Sequence, residues 1–185
     1  MKVFVDVDTQ CDFVNQDGNL YVPGAKEIKP VLEKLTKLAK DENIRVIKTM
    51  DAHLQNDPEF KVFPPHCIVE TVGQASIRET ANKRAIIFEK QTYDVFDKTL
   101  GNDKIDGWLK DNKVTEAWVY GLVGNICIEA AVMGLLARGI KVYVFENAVM
   151  WMDMEQGIFC TGVDNKEQSV ARMRKAGAVF AQAKL

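Results

Sequence analysis

The sequence predicts an α/β fold: a six-stranded parallel sheet covered by helices on both faces. Three observations lead there. Short β-branched runs alternate with stretches of helical periodicity along the chain. That alternation calls for crossover connections, and so for parallel strands buried from both sides. A length of 185 residues suits one domain, residues 1–185, with a well-filled core.

The elements follow in order. Lys2 to Val7 is a β-branched strand, and Pro23-Gly24 then breaks the chain. Ile28, Val31, Leu32, Leu35, Leu38 and Ala39 recur at helical spacing, which predicts an amphipathic helix from Lys26 to Lys40. Further strands are read at Arg45 to Thr49, Ala85 to Phe88, Ala117 to Tyr120 and Lys141 to Phe145. A helix from about Asn125 to Arg138 joins the last two, with Gly139 as a left-handed cap. Glu167 to Lys175 reads as a final helix, and Ala178 to Phe180 as a short sixth strand.

Composition removes several function classes. Hydrophobic residues make up 47% and charged residues 27%, as in a globular protein. A net charge of -2 gives no electrostatic footprint for nucleic acid or an anionic membrane. No apolar run approaches the roughly 20 residues that span a bilayer. The start, Met1-Lys2-Val3-Phe4-Val5-Asp6, lacks a signal-peptide pattern and predicts a cytoplasmic protein. Cys11, Cys67, Cys127 and Cys160 are far apart and are expected to be free thiols. Cys160 follows a Met- and aromatic-rich stretch, Met150 to Met154, apolar enough to pack over the site or on a second subunit.

In parallel sheets, ligands bind beyond the carboxyl ends of the strands. The reactive residues gather there. Cys127 ends a tight loop, Gly121 to Cys127, that opens into a helix. The helix dipole is expected to lower the thiol pKa, and free backbone N–H groups to hold an oxyanion. Most free cysteines are instead small buried hydrophobes. Asp8 ends the first strand and could take a proton from a thiol or water. Asp6 competes for that role, and strand alternation does not choose between them. Lys90 directly follows a buried strand, where it could keep Asp8 ionised and stabilise developing charge.

Asp51-Ala52-His53 and His66 form a metal candidate, with Glu59 between them as a further ligand. The chain has two histidines, and both fall in this segment beside an aspartate. Such a set suits Zn²⁺, Fe²⁺ or Mn²⁺ with coordination positions left open. Phe13 and Phe63 flank these groups and could sandwich a planar ring.

With these motifs in place, the chain resembles the isochorismatase-like cysteine hydrolases over nearly its whole length, and within them the nicotinamidase/pyrazinamidase branch. The family's opening D-x-Q-x-D-F matches Asp8-Thr9-Gln10-Cys11-Asp12-Phe13. The metal motif matches Asp51-Ala52-His53 and Pro65-His66-Cys67. The nucleophile loop matches Gly121-Leu122-Val123-Gly124-Asn125-Ile126-Cys127, with Val123-Gly124 where Ala-Thr is usual. Phe63 stands where nicotinamidases commonly carry a stacking tryptophan.

The resemblance implies a triad of Asp8, Lys90 and Cys127. It also implies a cis peptide before Val123 and an oxyanion hole from the N–H groups of Val123 and Cys127. The implied activity is metal-dependent hydrolysis of nicotinamide, and of pyrazinamide, within pyridine nucleotide metabolism. One divalent ion is expected, zinc first and iron or manganese after it. A homo-oligomer is also implied. Two other readings stay open: a related small carboxamide as substrate, and a silent binding protein on the same fold.

Overall fold

The computed structural model describes residues 1–98, 104–152 and 165–183. Six strands form one sheet: β1 (Lys2–Val7), β2 (Arg45–Asp51), β3 (Ile86–Lys90), β4 (Glu116–Leu122), β5 (Lys141–Met150) and β6 (Val179–Ala181). All five pairings are parallel, in the order β3-β2-β1-β4-β5-β6. Five helices accompany them among the described residues: α1 (Cys11–Val14), α2 (Lys29–Asp41), α3 (Lys104–Asp111), α4 (Glu129–Ala137) and α5 (Lys166–Ala176).

Alternating side chains send each strand into two cores. Val3, Val5 and Val7 of β1 meet Ile105 of α3, Val132 and Leu135 of α4, and Met173 of α5 on one face. Phe4 of the same strand joins Phe13, Leu32, Leu35 and Tyr120 on the other. Leu32 and Leu35 of α2 are fully buried. Each such leucine stabilises the fold by about 1.5–3 kcal/mol.

The local departures have local causes. The helix expected from Lys26 is a 3₁₀ turn over Ala25–Ile28 followed by α2. Pro30 then sits in the first helical turn, where its missing N–H costs nothing. The helix expected from Asn125 begins as a π-type turn, Gly124–Ile128, before α4. Strand β5 runs on to Met150, because Val149 and Met150 pair with Gly121 and Leu122 after a bulge. Helix α3 has no counterpart in the sequence reading. Gly139 is left-handed at φ 72°, as expected of a cap.

Order reverses at β1: the chain moves outward through β2 and β3, then returns to the far side of β1 with β4. That switch point is where doubly wound sheets open a crevice. The ends of β1 and β4 are close there. A Cβ on Gly121, which has φ 121°, would lie 2.0 Å from the Val7 carbonyl oxygen. Only glycine permits this approach.

Candidate active site

Asp8 follows β1 with φ 52°, a left-handed conformation that a non-glycine residue seldom holds. Its N–H donates to the Thr49 carbonyl, and the Thr49 hydroxyl donates to Asp8 Oδ1 at 2.6 Å. The turn breaks strand alternation and separates the two candidate acids. Asp6 pairs with Lys48 at 3.1 Å and accepts from the Thr9 hydroxyl at 2.7 Å. Asp8 instead meets the Lys90 ammonium at 2.8 Å. Lys90, at the end of β3, also bonds Asp51 Oδ1 and lies 3.7 Å from Cys127 Sγ. Three strand ends and the nucleophile loop therefore converge on one buried ammonium.

The electrostatics follow from burial. Burial opposes the Lys90 charge, but Asp51 and Asp8 outweigh it and hold the ammonium well above its ordinary range. Burial pushes the Asp8 carboxyl up; Lys90 counters this, and Asp51 adds to it. The Cys127 thiol is pushed up by burial, with Lys90 opposing and Asp8 and Asp51 reinforcing. This corrects the dipole expectation. Two neighbouring carboxylates and desolvation outweigh the helix end, so the resting thiol keeps its proton. The Leu122–Val123 peptide is cis, as the resemblance implies.

The metal candidates also meet. Ligand atoms of Asp51, His53 and His66 lie within 4.8 Å of one another, and all three residues are buried. Asp51 Oδ2 is 3.8 Å from both His53 Nε2 and His66 Nε2. Metal–ligand bonds of about 2.0–2.2 Å put tetrahedral ligand pairs about 3.4 Å apart, close to this spacing. The outer nitrogens are engaged: His53 Nδ1 faces Asp57 Oδ2 at 3.0 Å, and His66 Nδ1 faces the Pro64 carbonyl at 2.8 Å. Such partners orient the Nε2 atoms inward. His53 Nε2 is buried without a hydrogen-bond partner.

Burial works against a charge on His53, yet Asp51 and Asp57 raise it to about 9. A site that favours a proton there also favours a cation. Burial lowers His66, which stays neutral and able to ligate. The residues fit a divalent ion. Glu59 groups with His53 and Asp57 rather than with Asp51 and His66.

The expected aromatics border this cage. Phe13 lies 5.4 Å from the His66 ring and Phe63 6.2 Å from it, centroid to centroid. Phe13 also belongs to the α2-side core. Sequence reasoning missed Phe60, which stands 5.4 Å from His53 and 5.6 Å from His66. It also missed Asp57. The available signal was Asp57-Pro58: Asp57 Oδ1 accepts the Glu59 N–H and caps a 3₁₀ turn with proline in its first positions. Cys11, Cys67 and Cys127 are free thiols, and Cys160 lies outside the described residues.

The chain belongs to the isochorismatase family: the isochorismatase domain pattern matches residues 2–184. It is 26% identical over 207 residues to the nicotinamidase of Escherichia coli, covering 94% of this chain and 91% of that one. The pyrazinamidase/nicotinamidase structure of Streptococcus mutans superposes with a TM-score of 0.83 at 25% identity, covering 98% of this chain and 100% of the other. The pyrazinamidase of Pyrococcus horikoshii, solved in complex with zinc, gives 0.85 at 24% identity, covering 98% and 99%. No helix among the described residues is long and apolar enough to cross a membrane.

Proposed function

We propose that this protein is a metal-dependent cysteine amidohydrolase that converts nicotinamide, and pyrazinamide, to the acid and ammonia. The observation that carries the reading is the meeting of Asp8, Lys90 and Cys127 beside the Asp51, His53 and His66 cage. The nicotinamidase and pyrazinamidase relatives support it at the level of family and fold.

Asp8 takes the thiol proton as the sulfur attacks the amide carbon, the two groups being drawn together by the Lys90 ammonium, 2.8 Å from Asp8 and 3.7 Å from Cys127 Sγ. A carboxylate raised by burial is a better base for this than one at its ordinary value. Lys90 stays charged and stabilises the paired anions. The N–H groups of Val123 and Cys127 hold the oxyanion, and each such donor is typically worth about 3–4 kcal/mol. Asp8 returns the proton to the nitrogen, the C–N bond breaks, and ammonia leaves a thioester on Cys127. Asp8 then takes a proton from water, whose oxygen adds to the acyl carbon. The C–S bond breaks, and the thiol regains its proton.

Asp51, His53 and His66 would hold a divalent ion, zinc before iron or manganese; Glu59, which groups with His53 and Asp57, is not part of that set. Bound there, such an ion supplies a Lewis acid for a ring nitrogen or water. Phe13 and Phe63 would cover the ring. Rates of ammonia release across nicotinamide, pyrazinamide and aliphatic amides test the substrate class. The expected order places the two heteroaromatic amides first and shows loss in Asp8→Asn. Faster turnover of aliphatic amides would overturn the assignment.

A further inference from the structure

The D-x-Q-x-D motif contains two polar residues that the reaction does not use, Gln10 and Asp12. Both are buried. Each is bonded to backbone adjoining the proposed ion ligands.

Gln10 completes a missing rung of the sheet. Pairing of β1 with β2 stops at Val7 and Thr49, while β2 continues to Asp51. The turn at Asp8 carries the main chain away, leaving the Asp51 N–H and carbonyl facing no strand on that side. The Gln10 amide takes the strand's place. Its Oε1 accepts the Asp51 N–H at 2.8 Å, and its Nε2 donates to the Asp51 carbonyl at 2.8 Å. The remaining amide hydrogen is used as well, since Nε2 donates to the Gln74 carbonyl at 2.9 Å.

Asp12 holds the other arm. Its Oδ2 accepts the Cys67 N–H at 2.7 Å, and its Oδ1 accepts the Asn19 N–H at 3.0 Å. Cys67 follows His66 directly and is left-handed at φ 43°. The Cys67 carbonyl in turn accepts the His53 N–H at 3.1 Å, so one carboxylate steadies the backbone of both histidine arms. The Asp12 carboxylate is set against Gly73, where a Cβ would lie 2.0 Å from Oδ2. Its own N–H donates to the Gly73 carbonyl at 3.0 Å.

We infer that Gln10 and Asp12 are positioning residues that preset the separation of Asp51 from the two histidines before an ion arrives. The inference rests on the metal-site part of the proposed function and not on the identity of the amide. Backbone that is already fixed loses less freedom when the ion binds, which raises affinity without any new ligand.

The test uses metal-stripped full-length protein, with Zn²⁺ titrated against a chromogenic chelator and Co²⁺ absorption reporting coordination geometry. Gln10→Glu keeps length and acceptor but turns the donor into an anion facing two carbonyls. Asp12→Asn replaces one acceptor with a donor that opposes a backbone N–H. Each is expected to weaken Zn²⁺ binding by about 10–100-fold, the usual range for partners of metal ligands, and to alter the Co²⁺ spectrum. Ammonia release should recover towards wild type at saturating Zn²⁺, which a catalytic role would not allow. If Asp12→Asn does not fold, Gln10→Glu carries the test alone.

Folded variants with wild-type Zn²⁺ affinity would overturn the inference. A wild-type protein that binds no Zn²⁺ would overturn it together with the metal site. Tight binding that the variants weaken, in a protein that hydrolyses no amide, would uphold the inference and end the nicotinamidase reading.

Discussion

Lys90→Met is the most informative single change to the site. The Lys90 ammonium is buried between two buried carboxylates, 2.8 Å from Asp8 and bonded to Asp51. Methionine fills nearly the same volume, so the variant loses charge rather than packing. What remains is a pair of unneutralised buried acids, Asp8 and Asp51. Removing one partner of a buried ion pair costs about 3–5 kcal/mol. For a chain of this size each kcal/mol moves the midpoint by about 2–4 °C, so a drop of about 6–20 °C is expected. Urea unfolding of chelator-treated protein gives the free energy directly. Adding Asp8→Asn should recover part of the loss, because it removes one of the stranded charges. Ammonia release should fall by about 10²-fold or more, the scale of a positioned acid–base partner. A Lys90→Met protein within about 1 kcal/mol of wild type would refute the buried-pair argument.

Two further outcomes test neighbouring parts of the structure. Asp57→Asn removes the charge facing His53 Nδ1 and should weaken Zn²⁺ binding by about 10-fold in chelator competition; unchanged affinity would contradict the orienting role. Asp106 of α3 is held below its ordinary value of 3.8 by the hydrogen bond from Arg138, with Lys98 assisting. A depressed folded-state pKa gives stability that is present above the unfolded value and lost as pH falls through the folded one. Asp106→Asn should therefore cost about 1 kcal/mol near neutral pH, with the difference closing as pH drops below 3.8. A difference independent of pH in urea titrations would show that the ion pair is not its source.

The parts of the fold that could be read from sequence depend on local pattern. Six apolar runs and the helical spacing of Leu32, Leu35 and Ala39 identify strands and helix without reference to distant residues. Strand ends then locate the site, because parallel topology carries Asp8, Asp51, Lys90 and the Cys127 loop to one edge. The choice between Asp6 and Asp8 came from the family motif and not from strand alternation. In the structure it is settled by register, which places Asp6 opposite Lys48, and by the left-handed turn at Asp8. Neither is a property of the segment itself. The Cys127 thiol shows the same limit. A helix N-terminus is visible in sequence, but the Asp8 and Asp51 charges that outweigh it come from other strands. Helix α3 was missed because it is eight residues long and contains Gly107, too little periodicity to register. Phe60 and Asp57 lie in a loop whose aim depends on the Cys67–His53 bond.

The most direct measurement compares initial rates of ammonia release from nicotinamide by wild type and by Cys127→Ala at equal metal content. Steady release by the wild type and background release by the variant are predicted, with Zn²⁺ binding unchanged between them. A Cys127→Ala protein that keeps the wild-type rate would contradict nucleophilic attack by this thiol.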